Sequence, residues 1–120
     1  MSESPKESDC LFCKIVHQEI PSQIEYEDDV AIAFKDLNPQ APHHLLVIPK
    51  KHIARLDDFA TQDLPEIAHL FSVVVKLAKR HALTESGFRT VINSGAGAGQ
   101  SVFHLHIHLL GGRPFHWPPG

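Results

Sequence analysis

The 120-residue sequence predicts an α+β fold, with an antiparallel sheet of about five strands, one long helix and a short N-terminal helix. The segment after residue 63 has apolar residues at steps of three and four, which is typical of an amphipathic helix. Elsewhere, short apolar runs are bounded by proline, glycine or aspartate, as strands are. The connections between these runs are short, which favours antiparallel pairing with the long helix on one face of the sheet.

The first half of the chain contains a short helix and three of the strands. Residues 1–9 are polar and are expected to be disordered, whereas residues 10–120 are expected to form one domain. Residues 10–17 have the apolar spacing of a short helix packed by one face, and Ile20-Pro21 interrupts it. The complete set of strands is expected at residues 23–27, 30–34, 44–48, 88–93 and 102–112.

The long helix is expected to begin after Asp63, with Asp63 as its N-cap and Glu66 as the second acid of a capping box. It is expected to end before Ser86-Gly87, where the glycine supplies a C-terminal stop. Its buried face is expected to consist of apolar residues at helical spacing, namely Leu64, Ile67, Phe71, Val74, Val75, Ala78 and Ala82.

The composition excludes several classes of function. Hydrophobic residues make up 42% of the sequence and charged residues 21%, as in a globular domain with its own core. The formal net charge of −3 gives no reason to expect a nucleic acid polymer or an anionic membrane as partner. No apolar run is long enough to span a bilayer, and the first nine residues lack an apolar signal segment. We therefore expect a cytoplasmic protein, and no motif calls for an organic cofactor.

Three histidines alternate with large apolar residues near the C-terminus. Successive side chains of a strand point to opposite faces, so His104, His106 and His108 are expected to share one face. The opposite face is apolar and consists of Phe103, Leu105, Ile107 and Leu109. A single histidine here would be an ordinary half-exposed residue, whereas three in register favour a functional face. A neutral imidazole is populated at neutral pH and can attack phosphorus.

This run resembles the signature of the histidine triad (HIT) superfamily, in which three histidines alternate with apolar residues. The flanking residues 99–102 and 111–113 are similar to the Hint branch of that family. The similarity also covers residues 32–36, 41–52 and the tail 116–120, so it extends from Cys10 to the last residue. The resemblance implies the HIT fold and a purine nucleotide as substrate.

The resemblance also implies catalytic roles. The middle histidine of the triad, His106, would be the nucleophile and would form a nucleotidyl-histidine intermediate that water hydrolyses. His108 would hydrogen-bond the phosphoryl or leaving group, while His104 and His44 would orient the imidazoles. Ser101 would contact the leaving group. From the residues alone, a serine beside a glycine-rich loop is usually just a turn residue, and spacing does not favour His44 over the adjacent histidine.

Substrate-binding residues follow from the same resemblance. Asp36 would accept hydrogen bonds from the ribose hydroxyls, and Asn93 would lie near the phosphate. The glycine-rich loop before the triad offers backbone N–H groups to phosphate oxygens, although such loops also serve as plain connections. Apolar side chains would hold the base, although from the residues alone they are equally core residues. The full expected set is Phe12, Ile15, Phe34, Asp36, Leu37, Asn93, Gly99, Gln100, Ser101, Val102, His106, His108 and Trp117.

The two cysteines form a Cys10-x-x-Cys13 pair that could hold a metal. Two thiolates with two imidazoles make a closed tetrahedral zinc site. By resemblance to members that carry this pair, the other ligands would be His52 and His104, and the zinc would be structural. A redox pair and two ordinary buried thiols are the alternatives.

The resemblance finally implies a homodimer in which the tail carries Trp117 to the partner's substrate. The function expected is hydrolysis of purine nucleoside phosphoramidates, with release of AMP or GMP. The alternatives are a dinucleoside polyphosphate hydrolase of the Fhit branch, a nucleotidyl transferase, and a nucleotide-binding regulatory partner with weak turnover. Gly111-Gly112 and Trp117 argue against the Fhit branch. His43 and Lys35 have no assigned role.

Overall fold

The computed structural model describes residues 9–120, so the expectation of disorder for residues 1–8 lies outside the described residues. Single turns of 3₁₀ helix lie at Leu56–Asp58, Thr61–Asp63 and Ala96–Ala98. The main elements in chain order are α1 (Leu11–Val16), β1 (Ile24–Glu27), β2 (Ala31–Lys35), β3 (His43–Pro49), α2 (Leu64–Arg80), β4 (Phe88–Val91) and β5 (Ile107–Gly111).

The five strands form one antiparallel sheet in the order β1-β2-β3-β5-β4. Helix α2 packs on one face of the sheet and α1 packs on the other. The expected α+β fold, with five strands, one long helix and one short helix, is therefore confirmed. In residues 9–120, no helix has the length and apolar character needed to cross a bilayer.

The central strands are buried on both faces because their side chains alternate between two cores. On β2, Ala31 and Ala33 face the core under α2, whereas Ile32 and Phe34 face the core under α1. On β3, Leu45 and Val47 face the first core, and Leu46 and Ile48 face the second. His44 is on the same face of β3 as Leu46 and Ile48, so its side chain points toward α1.

The triad segment differs from the prediction because its ladder begins at Ile107 and not at residue 102. Antiparallel register would place Leu105 opposite Pro49, which has no N–H to donate, so pairing with β3 stops before it. Leu105 donates its backbone N–H to the Ile53 carbonyl instead. The alternation of faces survives for Leu105, Ile107 and Leu109, which are buried under α2. Phe103 is only half-buried and does not join that core.

Helix α2 has a different buried face and end from those predicted. Four expected core residues are exposed, namely Leu64, Phe71, Val75 and Ala82. The helix ends at Arg80, and Ala82 adopts a left-handed φ of 56°, which terminates the helical hydrogen bonding well before Gly87. The buried face consists of Ile67, Leu70, Val73, Val74, Leu77 and Ala78. The helix therefore has two apolar stripes, and periodicity alone did not say which one meets the sheet.

The predicted capping box at the start of α2 is wrong. Asp63 has helical backbone angles and its side chain makes no cap bond to α2. Its carboxylate instead accepts the Ala60 N–H at 3.0 Å and the Lys51 ammonium at 2.6 Å. The 3₁₀ turn Thr61–Asp63 precedes α2 directly, so the chain already has helical conformation where the cap was expected.

The turn between β1 and β2 is built on the carboxylate of Asp28. One oxygen accepts the backbone N–H groups of Val30 and Ala31, both at 2.8 Å. The other accepts the Tyr26 hydroxyl at 2.5 Å and lies 2.6 Å from Nε2 of His69 on α2. Burial alone would raise the pKa of Asp28, but these four hydrogen bonds outweigh it and hold the pKa far below its ordinary value. The carboxylate thus ties the hairpin to the helix in its charged form.

We predict that Asp28→Asn lowers the free energy of unfolding at pH 7 by about 1–3 kcal/mol, because it removes hydrogen bonds to a charged acceptor. A depressed folded-state pKa contributes stability above the ordinary aspartate pKa and loses it as the pH falls. The difference in free energy of unfolding between wild type and variant should therefore decrease as the pH falls from 7 to about 3. Urea unfolding at several pH values measures this. The exposed neighbour Asp29→Asn is the control, and an Asp28→Asn difference independent of pH would contradict the prediction.

Candidate active site and metal centre

A pocket of about 280 Å³ opens between α1, the end of β2 and the segment before β5. Eleven of the predicted substrate contacts line it, namely Phe12, Ile15, Phe34, Asp36, Leu37, Asn93, Gly99, Ser101, Val102, His106 and His108. Sequence reasoning missed six others, namely Leu11, Ile20, Pro21, Ser22, Lys35 and Leu46. Sequence periodicity could have indicated two of them, because Leu11 is one helical turn before Ile15 and Leu46 is on the same strand face as His44.

The apolar wall of the pocket is also part of the core. Phe12, Ile15 and Phe34 are buried in the core under α1 and also line the pocket, while their contact with a base stays a prediction. The Phe12 ring packs edge-on against Phe34 at 5.3 Å and against His106 at 5.1 Å between ring centroids. Leu37 differs, because it is 91% exposed and forms the rim.

His106 is oriented by a backbone carbonyl. Its Nδ1 lies 2.7 Å from the carbonyl oxygen of His104, which can only accept, so Nδ1 carries the proton. The remaining nitrogen, Nε2, therefore has a free lone pair. Burial lowers the pKa of His106, although the bond to the carbonyl and the charge of Asp36 oppose this. The imidazole is neutral at neutral pH, as a nucleophile must be.

A chain of hydrogen bonds through His44 determines which nitrogen of His108 carries the proton. The Gln40 N–H donates to Nδ1 of His44 at 3.0 Å, so the single proton of neutral His44 is on Nε2. That Nε2 lies 2.9 Å from Nδ1 of His108, which accepts, and the His108 proton is consequently on Nε2. Burial, then the neighbouring imidazoles, lower the pKa of His108 to about 4. His108 thus meets a ligand as a neutral N–H donor.

Gln100 does not line the pocket, and its expected role as a substrate contact stays a prediction. Its buried side chain organises the glycine-rich loop from inside. The amide oxygen accepts the Gly95 N–H at 2.8 Å, and the amide nitrogen donates to the carbonyls of Ala54 at 2.7 Å and Val102 at 3.1 Å. Gly95 and Gly99 have φ values of +93° and +94°, which favour glycine. Gln100 therefore positions the loop whose residues Gly99 and Ser101 reach the pocket.

Trp117 does not line the pocket of its own chain and is 84% exposed. The tail before it is held by Phe115, whose ring lies 4.3 Å from the Arg113 guanidinium carbon and 5.2 Å from that of Arg89. The Arg89 side chain also donates to the His116 carbonyl. The expected contact of Trp117 with a partner's substrate stays a prediction.

The four predicted metal ligands come together beside the active site. One potential ligand atom each from Cys10, Cys13, His52 and His104 lies within 4.8 Å of the others. Nδ1 of His104 is 3.4 Å from Sγ of Cys10 and 3.5 Å from Sγ of Cys13, and Nδ1 of His52 is 3.3 Å from Sγ of Cys13. His104 donates from Nε2 to the Pro49 carbonyl at 2.8 Å, which leaves its Nδ1 lone pair facing the thiols. This donor set fits a structural zinc ion.

A second group, Asp36, His44 and His108, is equally close-packed but does not fit a metal. The Gln40 N–H occupies Nδ1 of His44, so coordination through Nε2 would require an imidazolate. Metal-bound histidines normally donate from their other nitrogen, and here that nitrogen accepts. The second group is therefore a hydrogen-bond network.

The comparisons with known proteins agree with this geometry. A family model described as "Scavenger mRNA decapping enzyme C-term binding" matches residues 9–114. The crystal structure of a HIT family hydrolase from Legionella pneumophila Philadelphia 1 superposes with a TM-score of 0.91 at 50% identity, covering 93% of this chain and all of that one. The chain belongs to the histidine triad (HIT) superfamily.

Two further relatives extend the comparison. An uncharacterized HIT-like protein of Synechococcus elongatus is 53% identical over 93% of this chain and 97% of its own length. A protein of Zea mays named "14 kDa zinc-binding protein" is 45% identical over 95% of this chain and 90% of its own. The name of the maize relative is consistent with the Cys/His cluster of this HIT chain.

We predict that the protein contains about one equivalent of zinc when purified without added metal, because four protein ligands make a closed site. The double variant Cys10→Ser, Cys13→Ser should contain less than about a tenth of an equivalent and should melt at a lower temperature. Elemental analysis and thermal unfolding measure these. Asp36→Asn is the matched control from the second group and should keep its zinc. Less than about a tenth of an equivalent in wild type would contradict the prediction.

Proposed function

We propose that this HIT protein hydrolyses purine nucleoside phosphoramidates and releases AMP or GMP through a covalent nucleotidyl-His106 intermediate. The observation that carries the proposal is that two histidines of one pocket carry their protons on different ring nitrogens. His106 offers the lone pair of Nε2, and His108 offers the N–H of Nε2. A nucleophile beside a donor is what displacement at phosphorus requires.

The proposed reaction has two displacements. In the first, Nε2 of His106 forms a bond to phosphorus, the bond from phosphorus to the leaving nitrogen breaks, and that nitrogen takes a proton from water. The positive charge gained by His106 is stabilised because Nδ1–H donates to the His104 carbonyl. In the second, water attacks phosphorus and frees His106. Over both steps one water supplies hydroxyl to phosphorus and a proton to the amine, while His108 stabilises the phosphoryl or leaving group by hydrogen bonding.

The other residues of the pocket are suited to binding a nucleoside. Asp36 presents a carboxylate suited to a vicinal diol, and Phe12, Ile15 and Phe34 provide an apolar wall for a base. The glycine-rich loop and Ser101 lie on the triad side, where a phosphate would be bound. The zinc cluster would hold the N-terminal segment against the triad segment and supplies no step of the reaction.

The charge of the pocket favours a singly charged phosphorus centre. Lys35 is the only lysine or arginine among the residues within 9–120 that line it. The pKa values of His44, His106 and His108 are all lowered, with burial as the main cause, so the imidazoles add no positive charge at neutral pH. A phosphoramidate carries one negative charge at phosphorus, whereas a dinucleoside polyphosphate carries several. This observation supports the phosphoramidate over the polyphosphate.

We predict that His106→Ala lowers the turnover of adenosine 5′-phosphoramidate by about 10³-fold or more, because it removes the nucleophile. A rapidly quenched single turnover of wild type should yield protein carrying one adenylyl group, detected by intact mass. The exposed His17→Ala is the matched control and should retain activity. A diadenosine polyphosphate assayed in parallel tests the alternative. Wild-type cleavage of only that substrate, or turnover retained by His106→Ala, would contradict the proposal.

We also propose that the protein is a homodimer. The second apolar stripe of α2, formed by Leu64, Phe71 and Val75, is 44–48% exposed. Strand β4 is an edge of the sheet and presents the exposed Phe88. A second copy of the chain would bury such surfaces and bring Trp117 toward another pocket.

We predict that the protein sediments at twice its chain mass of 13.4 kDa and that Val75→Glu converts it to monomer, because a charge would be buried at the interface. Analytical ultracentrifugation measures the mass. Ile24→Glu is the matched control, since Ile24 is 42% exposed on the opposite edge strand. A monomeric wild type, or a dimeric Val75→Glu variant, would show that the stripe has another role.

A further inference from the structure

The single proton of His44 is hydrogen-bonded to His108, and the carboxylate of Asp36 lies close enough to compete for it. Nε2 of His44 lies 2.9 Å from Nδ1 of His108 and 3.4 Å from Oδ2 of Asp36. We infer that ribose hydroxyls bound to Asp36 leave the His44 Nε2–H to donate to His108 alone, so that the sugar sets the rate of the chemical step as well as the affinity. The inference rests on the proposed function and assigns His44 as the positioning residue that couples sugar recognition to catalysis.

The turn between β2 and β3 holds Asp36 and His44 in place. The Asp36 N–H donates to the His44 carbonyl at 3.0 Å, and the Asn38 N–H donates to Oδ1 of Asp36 at 2.8 Å. The Gln40 N–H occupies Nδ1 of His44. Arg113 anchors the far end of the turn by donating to the Gln40 carbonyl at 2.9 Å. His44 can therefore neither gain a second proton nor drift away from Asp36 without breaking backbone bonds.

The charge of Asp36 determines how the proton is shared. When no ligand donates to Oδ2, the carboxylate attracts the His44 Nε2–H and weakens its bond to His108. Two ribose hydroxyls that donate to Asp36 would satisfy the carboxylate and leave His108 as the preferred acceptor. A firm bond at Nδ1 of His108 keeps the His108 proton on Nε2, where the phosphoryl or leaving group is stabilised. The loss of one hydroxyl should therefore weaken transition-state stabilisation.

The alternative is that Asp36 only binds the sugar. In that case a missing hydroxyl would raise KM and leave kcat unchanged, because the interaction would contribute equally in the ground and transition states. The two mechanisms thus differ in which kinetic parameter changes. Measurement of kcat and KM for ribose and deoxyribose substrates separates them.

The experiment compares adenosine 5′-phosphoramidate with its 2′-deoxy and 3′-deoxy analogues, on the full-length wild type and on variants, by single-turnover and steady-state kinetics. For wild type we expect each deoxy analogue to lower kcat about 5-fold to 30-fold, within the usual range of coupling between two sites. Equal kcat values with only KM changed would overturn the inference. If wild type turned over none of the three, the proposed function itself would be wrong.

His44→Gln tests the coupling directly. A glutamine amide nitrogen carries two protons and can serve both acceptors at once, so the ratio of ribose to deoxyribose kcat should fall to about 1 while the KM ratio persists. Ser101→Ala is the matched control, because Ser101 lines the same pocket without bonding to Asp36 or His44 in the described contacts, and it should keep the wild-type ratio. A His44→Gln protein with the wild-type kcat ratio would overturn the inference.

Asp36→Asn answers the same question if His44→Gln does not fold. Removal of the carboxylate charge leaves His108 as the preferred acceptor whatever the sugar, so the kcat penalty for a deoxy analogue should again fall to about 1. The Asp36 side chain is 20% accessible but belongs to neither core, so its substitution removes no core packing. A kcat penalty that persists in Asp36→Asn would overturn the inference.

Discussion

The site depends on one constraint, which is that a neutral imidazole has a single proton. Backbone groups decide where that proton lies on three buried histidines. The carbonyls of Pro49 and His104 accept from His104 and His106, and the Gln40 N–H donates to His44. Each bond occupies one ring nitrogen and thereby determines whether the other nitrogen carries a proton or a lone pair. His104 therefore offers a lone pair to the thiols, and His106 offers a lone pair to the pocket. His44 offers an N–H to His108. Chemically identical side chains acquire three different tasks without any being charged.

The two-sided sheet makes these bonds possible. Alternate residues of β2 and β3 fill a core under α2 and another under α1, so the strands are rigid where the histidines lie. The face under α1 carries the chemistry because α1 is only six residues long and covers the sheet incompletely. The space it leaves between its apolar residues and the triad segment is the pocket. A longer helix packed there would have filled it.

The sequence predicted the patterns that depend on local periodicity. Alternation placed Leu105, Ile107 and Leu109 in one core and the three histidines away from it, and this survived although the ladder begins only at Ile107. What failed depended on tertiary contacts. The second stripe of α2 with Phe71 and Val75 is indistinguishable from a core face by spacing. Asp63 lost its predicted cap role because Lys51 and the Ala60 N–H hold its carboxylate. The bonding of the Gln100 amide to three backbone groups is likewise a tertiary arrangement that local periodicity does not predict.

His104 is the residue that connects the metal cluster to the proposed nucleophile, His106. Its imidazole faces Cys10 and Cys13, while its own carbonyl accepts the proton of His106. Any movement of the cluster therefore displaces the carbonyl that determines which nitrogen of His106 is free. Four ligands from α1, the segment after β3 and the triad segment would restrain that carbonyl from three directions. A zinc ion bound by these four ligands would in this way preserve the orientation of the proposed nucleophile without contacting the substrate.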